Sequence, residues 1–199
     1  MNIDMNINPG SSSLLLLDVQ VGIVNMLPPY EQEKILDNLA RATTAARAAN
    51  LPVIHVMVGY RPNYPEVSAR NSQVSRVKKE GRLLERAADA RICPEIEVRP
   101  EDIIVTKKSG SAFFGTDLEI ILRAANIDTL ILAGISSLMT VESTARDAFD
   151  RDYRLFVLGD CCSDGDVKAN EVALTILMPR VSTVCTTDQF CNDLERKNE

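Results

Sequence analysis

The segment Ser11-Ser-Ser-Leu-Leu-Leu-Leu-Asp18-Val-Gln20 places four consecutive leucines directly before an aspartate. A short, continuous apolar run of this kind is typical of a strand that is buried on both faces of a sheet. Asp18 closes the run, where a parallel strand reaches its carboxyl end. Because ligands of open α/β sheets gather outside that edge, Asp18 is the first candidate for a functional residue. The alternative is a structural aspartate that caps a turn at the end of the strand.

Five further strand-like runs follow the first, and helical segments separate them. The strands are predicted at residues 14–18, 52–58, 103–106, 129–133, 154–158 and 181–185, and the main helices at residues 31–50, 118–125, 141–151 and 167–178. This alternation predicts an α/β fold, a single-domain three-layer α/β/α arrangement with a mostly parallel six-stranded sheet. Residues 11–199 are predicted to form that domain, preceded by a flexible leader at residues 1–10.

The bulk composition is that of an ordinary soluble domain, with 199 residues, 45% hydrophobic and 25% charged. A net charge of −6 argues against nucleic acid or an anionic membrane as the partner, and favours a small-molecule substrate. The apolar run at residues 14–17 is too short to span a bilayer. Five cysteines without zinc-type spacing predict reduced thiols and a cytoplasmic location.

The connection over residues 59–101 is unusually long, polar and interrupted by prolines. A charged helical piece is predicted within it at residues 77–88. Long connections in compact domains are often binding loops or lids, so we expect this one to cover a pocket or to meet another subunit. Arg61 and Tyr64 are its candidate substrate contacts, and the alternative for both is a solvated loop residue.

Two later segments fall at the ends of other predicted strands. The first is Val105-Thr-Lys-Lys-Ser-Gly-Ser-Ala-Phe-Phe-Gly-Thr-Asp-Leu118, in which Lys107 and Lys108 compete as the functional lysine. The second is the turn Gly134-Ile-Ser-Ser-Leu-Met-Thr-Val-Glu-Ser-Thr144, which leads into a helix. Unpaired backbone N–H groups at a helix start favour a carboxylate or an oxyanion.

Together, these segments resemble the active-site framework of the isochorismatase-like (cysteine hydrolase) family. In that family an Asp ends the first strand, a Lys follows the third, and a Cys nucleophile begins the helix after the fourth. The resemblance implies the isochorismatase-like hydrolase fold and selects Lys107 over Lys108. Aligning Gly134 and the Val141-Glu-Ser-Thr144 run puts Thr140 at the cysteine position.

The resemblance also implies the remaining site features. The predicted catalytic residues are Asp18, Lys107 and Thr140, and the substrate contacts include Ser136, Ser137 and Phe113. A non-proline cis peptide is expected near the Ile135–Ser136 bond. No metal or cofactor is expected, because the single histidine, His55, lies within a predicted strand rather than after it. A homodimer or homotetramer is the implied assembly.

Three functions remain open from the sequence. The leading hypothesis is hydrolysis of a vinyl ether of the isochorismate type, with Asp18 as general acid and Lys107 assisting, and without a Cys nucleophile. The first alternative is an inactive family member that serves as a ligand-binding or interaction protein. The second is an amidase that acts on a C–N bond, with Thr140 in the nucleophile position. Cys161 and Cys162 are predicted as small buried residues rather than displaced nucleophiles.

Overall fold

Residues 5–196 are described by the computed structural model, and within them one parallel sheet organises the chain. Its strands run in the order β3-β2-β1-β4-β5-β6, which confirms the predicted single parallel sheet. The strands are β1 (Ser12–Leu17), β2 (Val53–Val58), β3 (Ile103–Lys107), β4 (Thr129–Ile135), β5 (Arg154–Ser163) and β6 (Thr183–Cys185). None of the described helices is long and apolar enough to cross a bilayer.

The described chain has seven α-helices, of which the first six lie between strands and the seventh follows β6. They are α1 (Val21–Val24), α2 (Pro29–Ala48), α3 (Ser72–Glu80), α4 (Leu118–Ala124), α5 (Glu142–Phe149), α6 (Val167–Val172) and α7 (Thr187–Glu195). The predicted long helix at residues 167–178 is corrected, because α6 ends at Val172 and continues as a π-helical turn, Ala173–Leu177, and a 3-10 turn, Met178–Arg180. Pro179 lies in that last turn, where its missing N–H cannot extend an α-helix.

The alternation of side chains along β1 explains the run of four leucines. Leu14 and Leu16 lie in one apolar core, together with residues of α2 and α7. Leu15 and Leu17 lie in a second core, together with residues of α4 and α5. Because successive side chains of a strand point to opposite faces, the part of a strand that lies between two apolar helical layers is apolar on both faces, as in the four leucines of β1. The predicted three-layer arrangement therefore follows from β1.

Gly134 allows β4 to approach β1 closely beside Asp18. Its φ is +146°, and a Cβ atom at this position would lie 2.0 Å from the carbonyl oxygen of Leu17. Only a residue without a side chain fits such a contact. Glycine here brings the turn that follows β4 next to the end of β1.

Within the predicted leader at residues 1–10, residues 5–7 pack against the domain, whereas residues 1–4 lie outside the described part of the chain. Met5 and Ile7 are buried in the first core. The Asp193 carboxylate of α7 accepts hydrogen bonds from the backbone N–H groups of Met5, Asn6 and Ile7, at 3.0–3.1 Å. These charge-assisted bonds and the apolar burial hold the segment against the domain.

His55 lies in the interior of β2, and its ring is packed rather than exposed to a ligand. Its Nε2 atom is 3.2 Å from Oδ2 of Asp102, which also accepts a 2.6 Å hydrogen bond from Arg47. Burial lowers the pKa of His55 below its ordinary value, although the Asp102 carboxylate opposes that change. The neutral imidazole is therefore the form that the fold favours.

We expect acidification to destabilise the protein through His55. In the unfolded chain histidine binds a proton near pH 6.5. Because the folded pKa is lower, the stabilising contribution is complete above about pH 6.5 and is lost as the pH falls toward the folded value. Urea unfolding at about pH 8 and about pH 5.5 should show a larger fall in unfolding free energy for wild type than for His55→Gln. Equal falls in the two proteins would contradict this assignment.

Candidate active site

Asp18 directly follows β1 and is fixed by the backbone on both sides. It has a left-handed conformation, with φ of 54°, which aspartate tolerates better than most residues. Its N–H donates to the Val56 carbonyl at 2.8 Å, and its own carbonyl accepts from the Gln20 N–H at 2.8 Å. The residue is only 3% exposed. The strand end therefore holds a buried carboxylate at the carboxyl edge of the sheet.

Gln20 is a positioning residue that sequence reasoning missed. Its side-chain amide donates to the carbonyls of Val58 and Ala90 and accepts from the Val58 N–H, at 2.8–2.9 Å. These bonds join the segment after Asp18 to the end of β2 and to the long connection. The sequence signal is a glutamine in an otherwise apolar stretch, where a buried amide requires partners.

Lys107 is the lysine that meets Asp18. It ends β3, it is 2% exposed, and its Nζ atom lies 2.9 Å from Oδ2 of Asp18. The ammonium also donates to the carbonyl of Ser109 at 2.9 Å. Lys108 instead binds the Gly59 carbonyl and the Glu85 carboxylate. The geometry thus brings Lys107 and not Lys108 to the site.

Thr140 completes the cluster from the turn after β4. This residue lies in the π-helical turn Ser137–Val141 and is 3% exposed. Its hydroxyl donates to Oδ2 of Asp18 at 2.7 Å. Ser136 precedes the turn in a left-handed conformation, with φ of 65°. The expectation of a cis peptide near Ile135–Ser136 is wrong, since residues 5–196 contain none and the left-handed Ser136 reverses the chain instead.

The two oxygens of Asp18 have different environments. Oδ2 receives both the Lys107 ammonium and the Thr140 hydroxyl. Oδ1 is buried and has no hydrogen-bond partner. A buried carboxylate oxygen is stable only when it is paired, so Oδ1 is available to a donor on a bound ligand or water.

A cavity of about 250 Å³ opens onto this cluster. The long connection covers it, as predicted, through α3, but that helix lies at Ser72–Glu80 rather than at the predicted residues 77–88. Asn71 accepts from the N–H of Val74 to cap the helix, and Gly81 ends it in a left-handed conformation. The lining residues are Asp18, Val58, Tyr60, Asn71, Gln73, Val74, Val77, Leu83, Lys107, Ser109, Gly110, Ser136, Met139 and Thr140.

The predicted substrate contacts divide into two groups. Ser136 lines the cavity, whereas Ser137 is buried next to it and its hydroxyl has no partner. Three others lie outside the lining. Phe113 packs in the second core against Tyr153. Arg61 forms an ion pair with Glu66 at 2.5 Å. The Tyr64 hydroxyl donates a 2.8 Å hydrogen bond to the carbonyl of Arg82. These partners hold the side chains elsewhere, so the geometry does not support Phe113, Arg61 and Tyr64 as substrate contacts.

The model of the isochorismatase domain matches residues 12–189 of the chain. The chain belongs to the isochorismatase family. This membership places it among the isochorismatase-family hydrolases and agrees with the predicted fold.

Similar proteins cover nearly the whole domain. The isochorismatase family protein YwoC of Bacillus subtilis is 31% identical over 96% of this chain and 98% of its own length. The ureidoacrylate amidohydrolase RutB of Yersinia enterocolitica is 34% identical over 79% of this chain and 74% of its own length. The structure of an isochorismatase family protein from Burkholderia thailandensis is 32% identical, with a TM-score of 0.83, over 95% of this chain and 97% of that chain.

None of the five cysteines lines the cavity beside Asp18 in this isochorismatase-family protein. Cys162 pairs with Gly134 across the sheet, and the Cys161 sulfur lies 3.1 Å from the Thr187 hydroxyl. Burial raises the pKa of the Cys162 thiol to about 12 and also raises that of Cys161. Protonated, buried thiols are poor nucleophiles, as expected for residues with a packing role. Residues 5–196 also contain no group of three acidic, His or Cys side chains placed to hold a metal ion.

Proposed function

We propose that this isochorismatase-family protein hydrolyses a carbon–nitrogen bond of a small amide or ureido substrate, with Asp18 as general base and Thr140 as nucleophile. The observation that carries the proposal is the 2.7 Å hydrogen bond from the Thr140 hydroxyl to Oδ2 of Asp18. A hydroxyl is a weak nucleophile unless a base accepts its proton, and here the base is already in contact with it. The absence of a catalytic cysteine is part of this proposal, because no thiol borders the cavity.

The surroundings of Asp18 favour a base over an acid. Oδ2 accepts from an ammonium and from a hydroxyl, and a carboxylate can accept both bonds where a carboxylic acid would present its own proton. The Lys107 ammonium, 2.9 Å away, stabilises the negative charge of Asp18. It also supplies positive charge at the point where an oxyanion would form.

The reaction follows from these contacts in balanced steps. The Thr140 oxygen attacks the carbonyl carbon while Asp18 takes the hydroxyl proton. The carbon–nitrogen bond of the tetrahedral intermediate then breaks, and the nitrogen leaves with the proton from Asp18. Water attacks the resulting threonine ester with Asp18 again as base, which releases the carboxylic or carbamic acid and restores the Thr140 hydroxyl.

The charge of the cavity supports an amide or ureido group over a dianion. Asp18 and Lys107 are the only charged residues in the lining, and their charges balance. The remaining polar lining comes from the amide residues Asn71 and Gln73 and from four residues with hydroxyl groups, Tyr60, Ser109, Ser136 and Thr140. Such groups suit an uncharged polar substituent. Apart from Lys107, which is paired with Asp18, the lining contains no cation that could bind the two carboxylates of isochorismate. The similarity to an enzyme named ureidoacrylate amidohydrolase supports the same choice.

Vinyl-ether hydrolysis with Asp18 as general acid is the second candidate. The observation in its favour is Oδ1 of Asp18, which is buried, unpartnered and therefore able to carry a proton toward a substrate. This mechanism needs no nucleophilic residue and leaves Thr140 only to orient water or substrate, so it predicts that substantial activity remains after removal of the Thr140 hydroxyl. That difference separates the two candidates in one experiment.

Substitution of Thr140 is expected to distinguish these reactions. Thr140→Ser keeps the hydroxyl and should retain activity within about tenfold, whereas Thr140→Ala should lose at least about a hundredfold in kcat. Asp18→Asn should be inactive in either mechanism. Thr44→Ala removes an exposed helical hydroxyl and serves as the matched control. Ammonia release from ureidoacrylate, N-carbamoyl amino acids and primary amides measures the first reaction, and pyruvate release from isochorismate measures the second.

Each remaining outcome assigns a different function. Full amide turnover by Thr140→Ala would show that water attacks directly and would remove Thr140 as nucleophile. Pyruvate release that depends on Asp18 but not on Thr140 would establish the vinyl-ether reaction. Thermal stabilisation by these compounds without any turnover would indicate a ligand-binding protein instead. Mass spectrometry of the trapped ester on Thr140 would give direct support for the amidase.

A further inference from the structure

A second cavity, of about 210 Å³, lies apart from the active site. It is formed by the first turns of α2, by the second half of β5 and by α6, and it shares no lining residue with the cavity around Asp18. Both cavities open at the carboxyl side of the sheet, since Ser163 pairs with Ile135 immediately before the Ser136 turn. The second cavity is therefore close to the candidate active site but is lined by different residues.

Three residues that line this second cavity each carry a buried side-chain oxygen without a hydrogen-bond partner. These atoms are Oε2 of Glu31, Oγ of Ser163 and Oδ1 of Asn170. Ser163 is only 1% exposed, so bulk water does not compensate its hydroxyl. Buried polar atoms are almost always paired in folded proteins. Three such atoms around one cavity therefore indicate a ligand that supplies hydrogen-bond donors.

The charges around the cavity favour a cation. Glu31 and Asp160 contribute two carboxylates to the lining, and Lys34 contributes one ammonium, which leaves a surplus of one negative charge. The Asp160 carboxylate is held in place, since its Oδ1 accepts from the backbone N–H and the hydroxyl of Thr187 at 2.8 and 2.9 Å. A ligand that carries one positive charge would neutralise this lining.

We propose that this cavity binds the primary ammonium group of a small organic amine. An ammonium has three N–H donors and no acceptor, which matches three unpartnered oxygens and one surplus negative charge. The side chains of Ile35 and Tyr30 form an apolar wall for the carbon chain of the amine. The cavity is larger than a single ion requires, and the described chain places no cluster of three carboxylate, His or Cys ligands there for a metal.

Titration of the full-length protein with n-butylammonium tests the proposal. Isothermal titration calorimetry and NMR should show saturable binding at one site, and Glu31→Gln should weaken it by at least about tenfold, since it removes a charge-assisted hydrogen bond. Ser163→Ala and Asn170→Leu should each weaken it less. Lys34→Ala should tighten binding, because it removes a positive charge from the cavity lining that repels the ammonium ligand. Asp18→Asn, in the other cavity, should leave the affinity unchanged.

Two further ligands test whether binding requires N–H donors in addition to a positive charge. Butyltrimethylammonium has the same charge and chain but no N–H donor, and 1-butanol has the chain without the charge, so neither should bind measurably. Equal binding of the quaternary ion, or an affinity that Glu31→Gln does not change, would overturn the proposal. Absence of saturable butylammonium binding would also overturn it, and tight binding of potassium ion instead would assign the oxygens to a metal ion. Circular dichroism confirms that each variant is folded.

Discussion

Replacement of Gly134 by alanine is expected to prevent the protein from folding. The new Cβ would lie 2.0 Å from the Leu17 carbonyl oxygen and also within 3 Å of the Leu17 carbonyl carbon and nitrogen. All three are backbone atoms of β1, so they cannot move aside as a flexible side chain would. The φ of +146° adds strain for any residue with a side chain. We expect a loss of unfolding free energy of more than about 4 kcal/mol, a large part of the stability of a typical domain.

Substitutions at two other glycines distinguish the cost of the Cβ clash at Gly134 from the cost of its positive φ. Gly165 has open space around it and an ordinary φ, so Gly165→Ala should change stability by less than about 0.5 kcal/mol. Gly81 also has open space but a φ of +67°, so Gly81→Ala should cost about 1–2 kcal/mol. Urea unfolding and the soluble yield measure all three variants. A Gly134→Ala protein as stable as Gly81→Ala would show that β1 and β4 separate easily, contrary to the close contact described above.

Replacement of Lys107 by methionine is expected to destabilise the protein by about 3–5 kcal/mol. The substitution keeps the length of the side chain but leaves the Asp18 carboxylate buried without its cation, which is 2.9 Å away in the native site. Removal of one partner of a buried ion pair is costly because the remaining charge keeps its desolvation penalty. Oδ1 of Asp18 already lacks a partner, which makes this penalty larger. Within residues 5–196, Thr140 would be the one side-chain donor left to the Asp18 carboxylate.

The double variant Asp18→Asn/Lys107→Met tests the cause of that loss. With both charges removed, much of the stability should return, and the double-mutant cycle should give a coupling energy of about 2 kcal/mol or more. Lys108→Met is the matched control, because Lys108 is partly exposed and its pair with Glu85 should be worth less than about 1 kcal/mol. Additive effects of Asp18→Asn and Lys107→Met would show that the two residues do not form a coupled pair.

Much of the fold could be predicted because its signals are local. The continuous apolar runs of β1 and β4 require helical layers on both faces, and the structure has these layers. The ends of a helix were harder to predict where a single capping residue determines them. The helix of the lid, for example, is set by the Asn71 cap and by the left-handed Gly81, not by its charged composition.

The site was predictable only in part, for a related reason. The positions of Asp18, Lys107 and Thr140 at strand ends follow from the sequence pattern and the family resemblance, and the structure brings their side chains together. The direction of a side chain on a loop depends on its tertiary partners, which the sequence does not reveal. Phe113 finds an aromatic neighbour in the core. The Gln20 amide donates to two buried backbone carbonyls, and no sequence motif predicts these hydrogen bonds.

The lid helix α3 differs from the rest of the cavity in one respect, because none of its residues is fully buried. Asp18, Lys107 and Thr140, by contrast, are fixed to the ends of a packed sheet. Segments with few buried contacts open locally at low free-energy cost, whereas core strands open only with global unfolding. On the proposed function, we expect substrate to enter by a movement of α3 that leaves Asp18, Lys107 and Thr140 in place. Substitutions on α3 are then expected to change which substrates enter without changing the reaction, so that selectivity and reactivity would evolve separately.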